Sequence, residues 1–150
     1  MFLLDTNVVS ELRRSEQAHA NVRAWASAIP AELHAISVVT VLELERGTLL
    51  MERRDAAQGA ILRRWLEQEV LGRFEARILS VDSAIARQCA RLHVPDPRPE
   101  RDALIAATAL RHGLTVVTRD TADFEPMGVA LLNPWLAAGA SSHVNVRAKK

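Results

Sequence analysis

The chain has one cysteine, no tyrosine, and no lysine before its last two positions. A single cysteine excludes an intrachain disulfide and any zinc site built on several thiolates. Cys89 shares a helical face with Ile85 and Leu92, the habit of a core cysteine rather than a nucleophile. The lack of internal lysine removes that residue from catalysis. It also removes the phosphate-cradling G-x-x-x-x-G-K-[ST] loop, and no closely spaced glycines replace it. Net charge is only +1, so any nucleic-acid contact has to be a local basic surface. Three tryptophans and three phenylalanines make a poor stacking platform for single strands, and packing or interface anchoring is the better use of Trp25, Trp65 and Trp135. Asp5 interrupts the opening apolar run before a signal peptide could form, and no later run has transmembrane length. The expectation is a soluble cytoplasmic protein without a membrane segment.

What is present fits one globular domain: 150 residues, 49% hydrophobic and 25% charged. Short apolar runs alternate with longer helical patterns, the signature of a parallel sheet covered on both faces. Strands are expected at 2–4, 35–38, 78–81, 115–117 and 129–132. Helices are expected at 8–13, 20–29, 39–54, 57–71, 83–93 and 99–112, the last stopped by Gly113. The segment "VPDPRPE" reads as a loop inside the domain. A small, polar, basic-ended tail follows, so the division expected is a domain over 1–135 and a flexible tail over 136–150.

Acids fall where such a fold puts its ligand site, beyond the carboxyl ends of the strands. Asp5 follows the first strand directly. Glu43 lies early in the helix after the second, in "SVVTVLELERG". Asp102 sits in the opening turns of "PERDALIAATALRHG". Asp120 comes just after "TVV", with Asp123 close behind. Each has an ordinary explanation: Thr40 and Glu43 match a capping box, Asp102 suits a helix start, and Asp5 and Asp120 suit turns. Together they demand more. Two carboxylates ~5 Å apart repel by about 3 kcal/mol at an effective dielectric of 20, so the cluster must hold protons or a cation. Oxygen-only ligands point to Mg²⁺ or Mn²⁺ rather than zinc, and the chemistry such an ion supports is phosphodiester hydrolysis.

The stretches "LLDTNVVSEL", "ISVVTVLELERG", "DALIAATALRHGLTVVTRDTADF" and "VALLNPW" resemble, in that order, the PIN-domain ribonucleases. Within them they resemble the toxin components of VapBC and FitAB type toxin–antitoxin pairs, from Phe2 to Trp135. The resemblance implies a three-layer α/β/α sandwich with a central parallel sheet and a metal-dependent endoribonuclease site. Its acids fall on Asp5, Glu43, Asp102 and Asp120, with Asp123 a rival for the fourth place. Asn7 and Thr118 match the family's supporting polar residues, which also have the ordinary use of local strand-end bonds. Glu45, on another face of its helix, receives no role.

The mechanism expected from this has Asp5, Asp102 and Asp120 holding Mg²⁺, while Glu43 orients or deprotonates the attacking water. A water nucleophile leaves a 5′-phosphate and a 3′-hydroxyl. Arg98, Arg101 and Arg119 flank the acids and are candidates for backbone phosphates. The pairs Arg53–Arg54 and Arg63–Arg64, mixed with glutamates, read as a solvated face. The resemblance also implies RNA as substrate, a homodimer, and a small VapB- or FitA-like antitoxin. The Leu- and Met-rich stretch 45–71 is the expected contact surface; the alternative is that its apolar residues fill the core. A catalytically inactive PIN-like binding module and a metal-dependent phosphatase or nucleotide hydrolase remain the rival functions. A phospho-receiver lacks its lysine.

Overall fold

The computed structural model describes residues 1–137 and the backbone of His143–Val144. Strand β1 is Phe2–Leu4, followed by α1 (Thr6–Leu12), α2 (Ala20–Ala28), β2 (His34–Ser37) and α3 (Val38–Arg54). Then come α4 (Ala56–Arg64), a π-helical extension at Trp65–Leu71, β3 (Ile78–Leu79), α5 (Ser83–Leu92) and α6 (Glu100–His112). The chain closes with β4 (Thr115–Val117), α7 (Thr121–Phe124), β5 (Leu131–Leu132) and β6 (His143–Val144). The sheet order is β3-β2-β1-β4-β5-β6, all pairs parallel except the last. Strands β1 and β4 therefore lie side by side at the centre, where both carboxyl ends open on the same edge.

Strand alternation sorts the core into two faces. Leu3, Ala35, Val116 and Leu131 stand in one row across the sheet and pack with Ile85 and Cys89 of α5 and the alanines of α6. Leu4, Ile36, Val117 and Leu132 stand in the opposite row and pack with Val8, Val9, Val22, Leu66 and Val70. This is the three-layer sandwich. Helix α6 can sit deep in it because Ala103, Ala106, Ala107 and Ala109 let its backbone approach closely; all four are buried. Gly113 ends it with φ +66°, a left-handed position that glycine adopts at little cost. The α3–α4 hairpin is equally close at Gly59, where a Cβ would lie 2.5 Å from Glu52 Cα.

Several boundaries differ from expectation. Val38 leaves the second strand because Ser37 Oγ accepts the Val39 amide at 3.0 Å and caps α3. Thr40 is thus inside the helix, and the Thr40–Glu43 capping box does not exist. The third strand stops at Leu79 and the fifth begins at Leu131. The helix expected over 57–71 changes to π-helical turns at Trp65. Cys89 is buried on the Ile85 face, as its spacing implies. Of the expected tail over 136–150, residues 138–142 and 145–150 lie outside the described residues, while the His143–Val144 backbone pairs with β5. Among the described residues no helix is long and apolar enough to cross a membrane.

Candidate active site

Asp5 extends the β1 ladder by one bond, its amide donating to Val117 O at 2.9 Å, and its carbonyl then accepts the amides of Val8 and Val9 to start α1. Its side chain is only 7% exposed, yet both oxygens are held: Oδ1 by the Thr6 amide at 2.8 Å and Oδ2 by the Thr118 hydroxyl at 2.8 Å. Thr118 stands at the matching position past β4. Having given its one proton to Asp5, its oxygen accepts the Asp120 amide at 3.0 Å and Asn7 Nδ2 at 3.3 Å. Asn7 Nδ2 also reaches Asp120 Oδ2 at 3.2 Å. The two central strand ends are laced together through these four residues.

Helix α3 delivers Glu43 to the same edge. The Thr6 hydroxyl lies 3.2 Å from Glu43 Oε1 and 3.1 Å from Thr40 Oγ1. One hydroxyl has one proton, so the charged carboxylate takes it and Thr40 donates to Thr6 in turn. The other Glu43 oxygen lies 3.7 Å from Arg101 Nη1. Asp102 follows in the first turn of α6. Its carboxyl is pushed up to about 6, first by burial and then by the negative charges of Asp5, Asp123, Glu43 and Asp120. Burial also raises Asp5, against the hydrogen bonds from Thr118 and Thr6, and Glu43 and Asp120 raise it further. Five carboxylates, from the β1–α1 junction, α3, α6 and the segment after β4, therefore share one field.

The electrostatics of that field ask for a cation. Among the described residues the only ion pair to any of the five is Arg101 on Glu43. The donors are all oxygen, with no histidine or thiolate, which suits a hard divalent ion. A family model described as "PIN domain" matches residues 2–128. The chain belongs to the PIN-domain family. Nucleases of the PIN family are metal-dependent, in keeping with an all-oxygen donor set in which burial and then neighbouring carboxylates raise Asp5 and Asp102.

Relatives of this PIN domain match along nearly the whole chain. It is 40% identical to "Toxin FitB" of Neisseria gonorrhoeae over 141 residues, 90% of this chain and 99% of that one. It is 39% identical to "VapC ribonuclease Y4jK" of Sinorhizobium fredii over 140 residues, 90% of this chain and 98% of that one. The solved "Structure of FitAB bound to IR36 DNA fragment" superposes with a TM-score of 0.84 at 35% identity, covering 93% of this chain and 99% of that chain.

Of the residues singled out from the sequence, the structure brings Asp5, Glu43, Asp120 and Asp123 close enough for their charges to act on Asp102. Asn7 and Thr118 are their hydrogen-bond partners. Arg101 faces the site. The Arg98 backbone amide donates to His93 Nδ1 at 3.0 Å while its side-chain Nε is buried without a hydrogen-bond partner, and the Arg119 guanidinium lies over Trp135, 5.4 Å from the ring centroid. Arg63 does more than face solvent, for it joins Glu45 and Glu52 at 2.7 Å each across the α3–α4 hairpin. Nothing local in the "DTN" triplet marks Thr6, because its partner, Glu43, is 37 residues away and only folding brings them together.

A second group of ligand-type residues, Cys89, His93 and Glu100, also converges in the PIN domain. Its hydrogen bonding decides its character. His93 Nδ1 accepts the Arg98 amide, so the neutral ring carries its proton on Nε2, 3.7 Å from Cys89 Sγ and 3.5 Å from Glu100 Oε2. It offers a donor there, not a lone pair, and clamps the end of α5 to the start of α6.

Proposed function

We propose that this PIN domain is a Mg²⁺-dependent endoribonuclease, the toxin of a VapBC- or FitAB-type pair. The observation that carries the reading is the convergence of five acids at the carboxyl ends of the central strands, in a chain whose full-length relatives include a VapC ribonuclease. Asp5, Asp102 and Asp120 would hold Mg²⁺, or Mn²⁺ in its place, and Asp123 adds its negative charge at Asp102. Such an ion supplies charge neutralisation at the scissile phosphate and a lower pKa for water. Glu43, steadied by Thr6, accepts the proton of the attacking water, and the bond to the 3′ oxygen breaks as that oxygen takes a proton from solvent. The products carry a 5′-phosphate and a 3′-hydroxyl. Thr118 and Asn7 act as positioning residues for Asp5 and Asp120.

The partner follows from the same relationship: FitAB and VapBC are the names of the solved neighbouring assemblies. A small antitoxin and a homodimer are proposed for this chain, with the stretch 45–71 as contact surface. Leu49 is 51% exposed, Leu50 61% and Ile61 57%, so these side chains are free of the core and open to a partner. Cytoplasmic residence and a domain limit at residue 135 complete the proposal. Purified protein and its Asp5→Asn variant, each incubated with mixed RNAs in Mg²⁺ or EDTA, provide the test. Cutting is expected from wild type with Mg²⁺ alone. Equal cutting by the two proteins would end the proposal.

A further inference from the structure

Helices α5 and α6 enclose a cleft of about 550 Å³ away from the catalytic acids, lined by Ala84, Arg87, Gln88, Arg91, Leu110 and Arg111. Three guanidiniums line it and no carboxylate does. Arg87 and Arg91 stand one turn apart on α5, facing Arg111 at the end of α6. Gln88 Oε1 accepts Arg91 Nη1 at 3.3 Å, which turns the amide nitrogen of Gln88 into a further donor. None of the three arginines is in an ion pair among the described residues. The contrast with the other arginine-rich cleft is direct. That one, of about 650 Å³, holds Arg13, Arg23, Arg73 and Arg77 but also Glu16 and Glu69, and Arg73 is paired to Glu69 at 2.9 Å.

We infer that the α5–α6 cleft binds phosphates of the RNA backbone and so forms an exosite that holds the substrate; the inference rests on the ribonuclease reading above. Even with one divalent ion bound, five carboxylates against one arginine already paired leave the catalytic site short of positive charge to hold a polyanion. Affinity has to come from elsewhere, and the chain has no net field to supply it. Guanidiniums grip phosphate oxygens in pairs, and a site that lacks counter-charges of its own gains most from an anion. Geometry links the two places. Arg101, beside Glu43, and Arg111, in the cleft, are both exposed and stand ten positions apart on α6, with the residues between them buried or half-buried. Ten helical residues span about 15 Å. A substrate that reaches both places therefore extends several nucleotides beyond the scissile phosphate.

The test replaces the three arginines together, Arg87→Gln, Arg91→Gln and Arg111→Gln, in the purified full chain. KM and kcat are measured on a long RNA and on the same cleavage sequence cut down to two nucleotides on either side. Losing three phosphate contacts lowers the salt slope of log KM by about 2, so between 50 and 200 mM salt the wild-type KM climbs roughly fifteen- to twentyfold more than the variant's. At low salt the variant's KM on long RNA is raised, kcat is kept, and the short substrate is cut alike by both proteins. Should the triple variant fold poorly, the single variants at Arg87 and Arg111 are each expected to show about one third of the slope change. An unchanged KM and salt slope, with wild type cutting normally, overturns the exosite and leaves the nuclease intact. Weakened antitoxin binding with an unchanged RNA slope overturns it too, and gives the cleft to a protein. A wild type that cuts no RNA removes both proposals.

Discussion

Replacing Asp102 by asparagine should make the metal-free protein more stable. An Asp carboxyl ordinarily titrates near 3.8, and in this pocket Asp102 is pushed up to about 6. A shift of about 2 units corresponds to ~3 kcal/mol of penalty on the charged form. Asp102 is only partly buried, and solvent screening brings the recoverable part to about 1–2 kcal/mol. The direction follows from linkage. A carboxyl whose pKa is higher in the folded than in the unfolded state stabilises the fold fully below pH ~3.8, and that contribution is lost as pH rises through about 6. Wild type should therefore lose stability between pH 4 and pH 7, and Asp102→Asn should be spared this loss. For a chain of this length 1 kcal/mol moves Tm by roughly 2–4 °C.

The assay is thermal melting of both proteins in EDTA across pH 4 to 8, repeated with Mg²⁺ or Mn²⁺. In EDTA at pH 8 the variant should melt about 2–8 °C higher, and the gap should close towards pH 4. Metal reverses the order, because an ion bound only by the folded state adds RT ln(1 + [L]/Kd), about 2.7 kcal/mol at a hundredfold excess over Kd. The variant has one ligand fewer and gains less. A metal-free variant that melts at or below wild type at pH 8 would falsify the claim that burial and the neighbouring acids penalise the charged Asp102. So would a gap that is the same at pH 4 and pH 8.

Three smaller changes probe the scaffold. Thr6→Val keeps the side-chain shape but takes the donor from Glu43; kcat should fall roughly tenfold, the worth of one hydrogen bond to a charged group, with KM held and Thr6→Ser restoring the rate. Unaltered turnover in the valine variant would show that Glu43 needs no such support. Gly59→Ala places a Cβ 2.5 Å from Glu52 Cα and should cost about 1–3 kcal/mol in urea melts, despite alanine's better helix propensity; a stabilised protein would contradict the close approach. Ser37→Ala removes the α3 cap and should cost about 1 kcal/mol, while a null result would assign the helix start to packing alone.

Periodicity made the fold legible because its elements carry pure signals. Leu3 and Leu4 face opposite layers, as do Val116 and Val117, and an all-apolar strand of this kind belongs inside a parallel sheet. The helices around Ile85–Cys89 and Ala103–Ala109 show their buried faces at helical spacing. What escaped was decided by single hydrogen bonds. Ser37 rather than Thr40 caps α3, and both have the right chemistry; which one is used depends on where the β2 ladder ends. The π-helical turns at Trp65–Leu71 leave the apolar pattern almost unchanged, so no spacing rule separates them from an α-helix. The exposed Leu49 and Leu50 match buried positions in composition and differ only in the direction they face.

The candidate site was legible for a related reason, and only in part. Asp5 serves as a helix cap and as the centre of the acidic pocket at once: its carboxylate takes the Thr6 amide on one oxygen and the Thr118 hydroxyl on the other. A capping acid and an acid that holds a metal look alike in sequence, since each is a short carboxylate at the end of a strand. The difference lies in whether other carboxylates arrive, and these come from 38, 97, 115 and 118 residues further along the chain. Local bonding could never afford that gathering. Burial and mutual repulsion raise both Asp5 and Asp102, so the fold holds the acids together against their own charge. The hydrophobic rows on either side of the central strands supply the stability, and the strand ends are where that rigidity can be spent on chemistry.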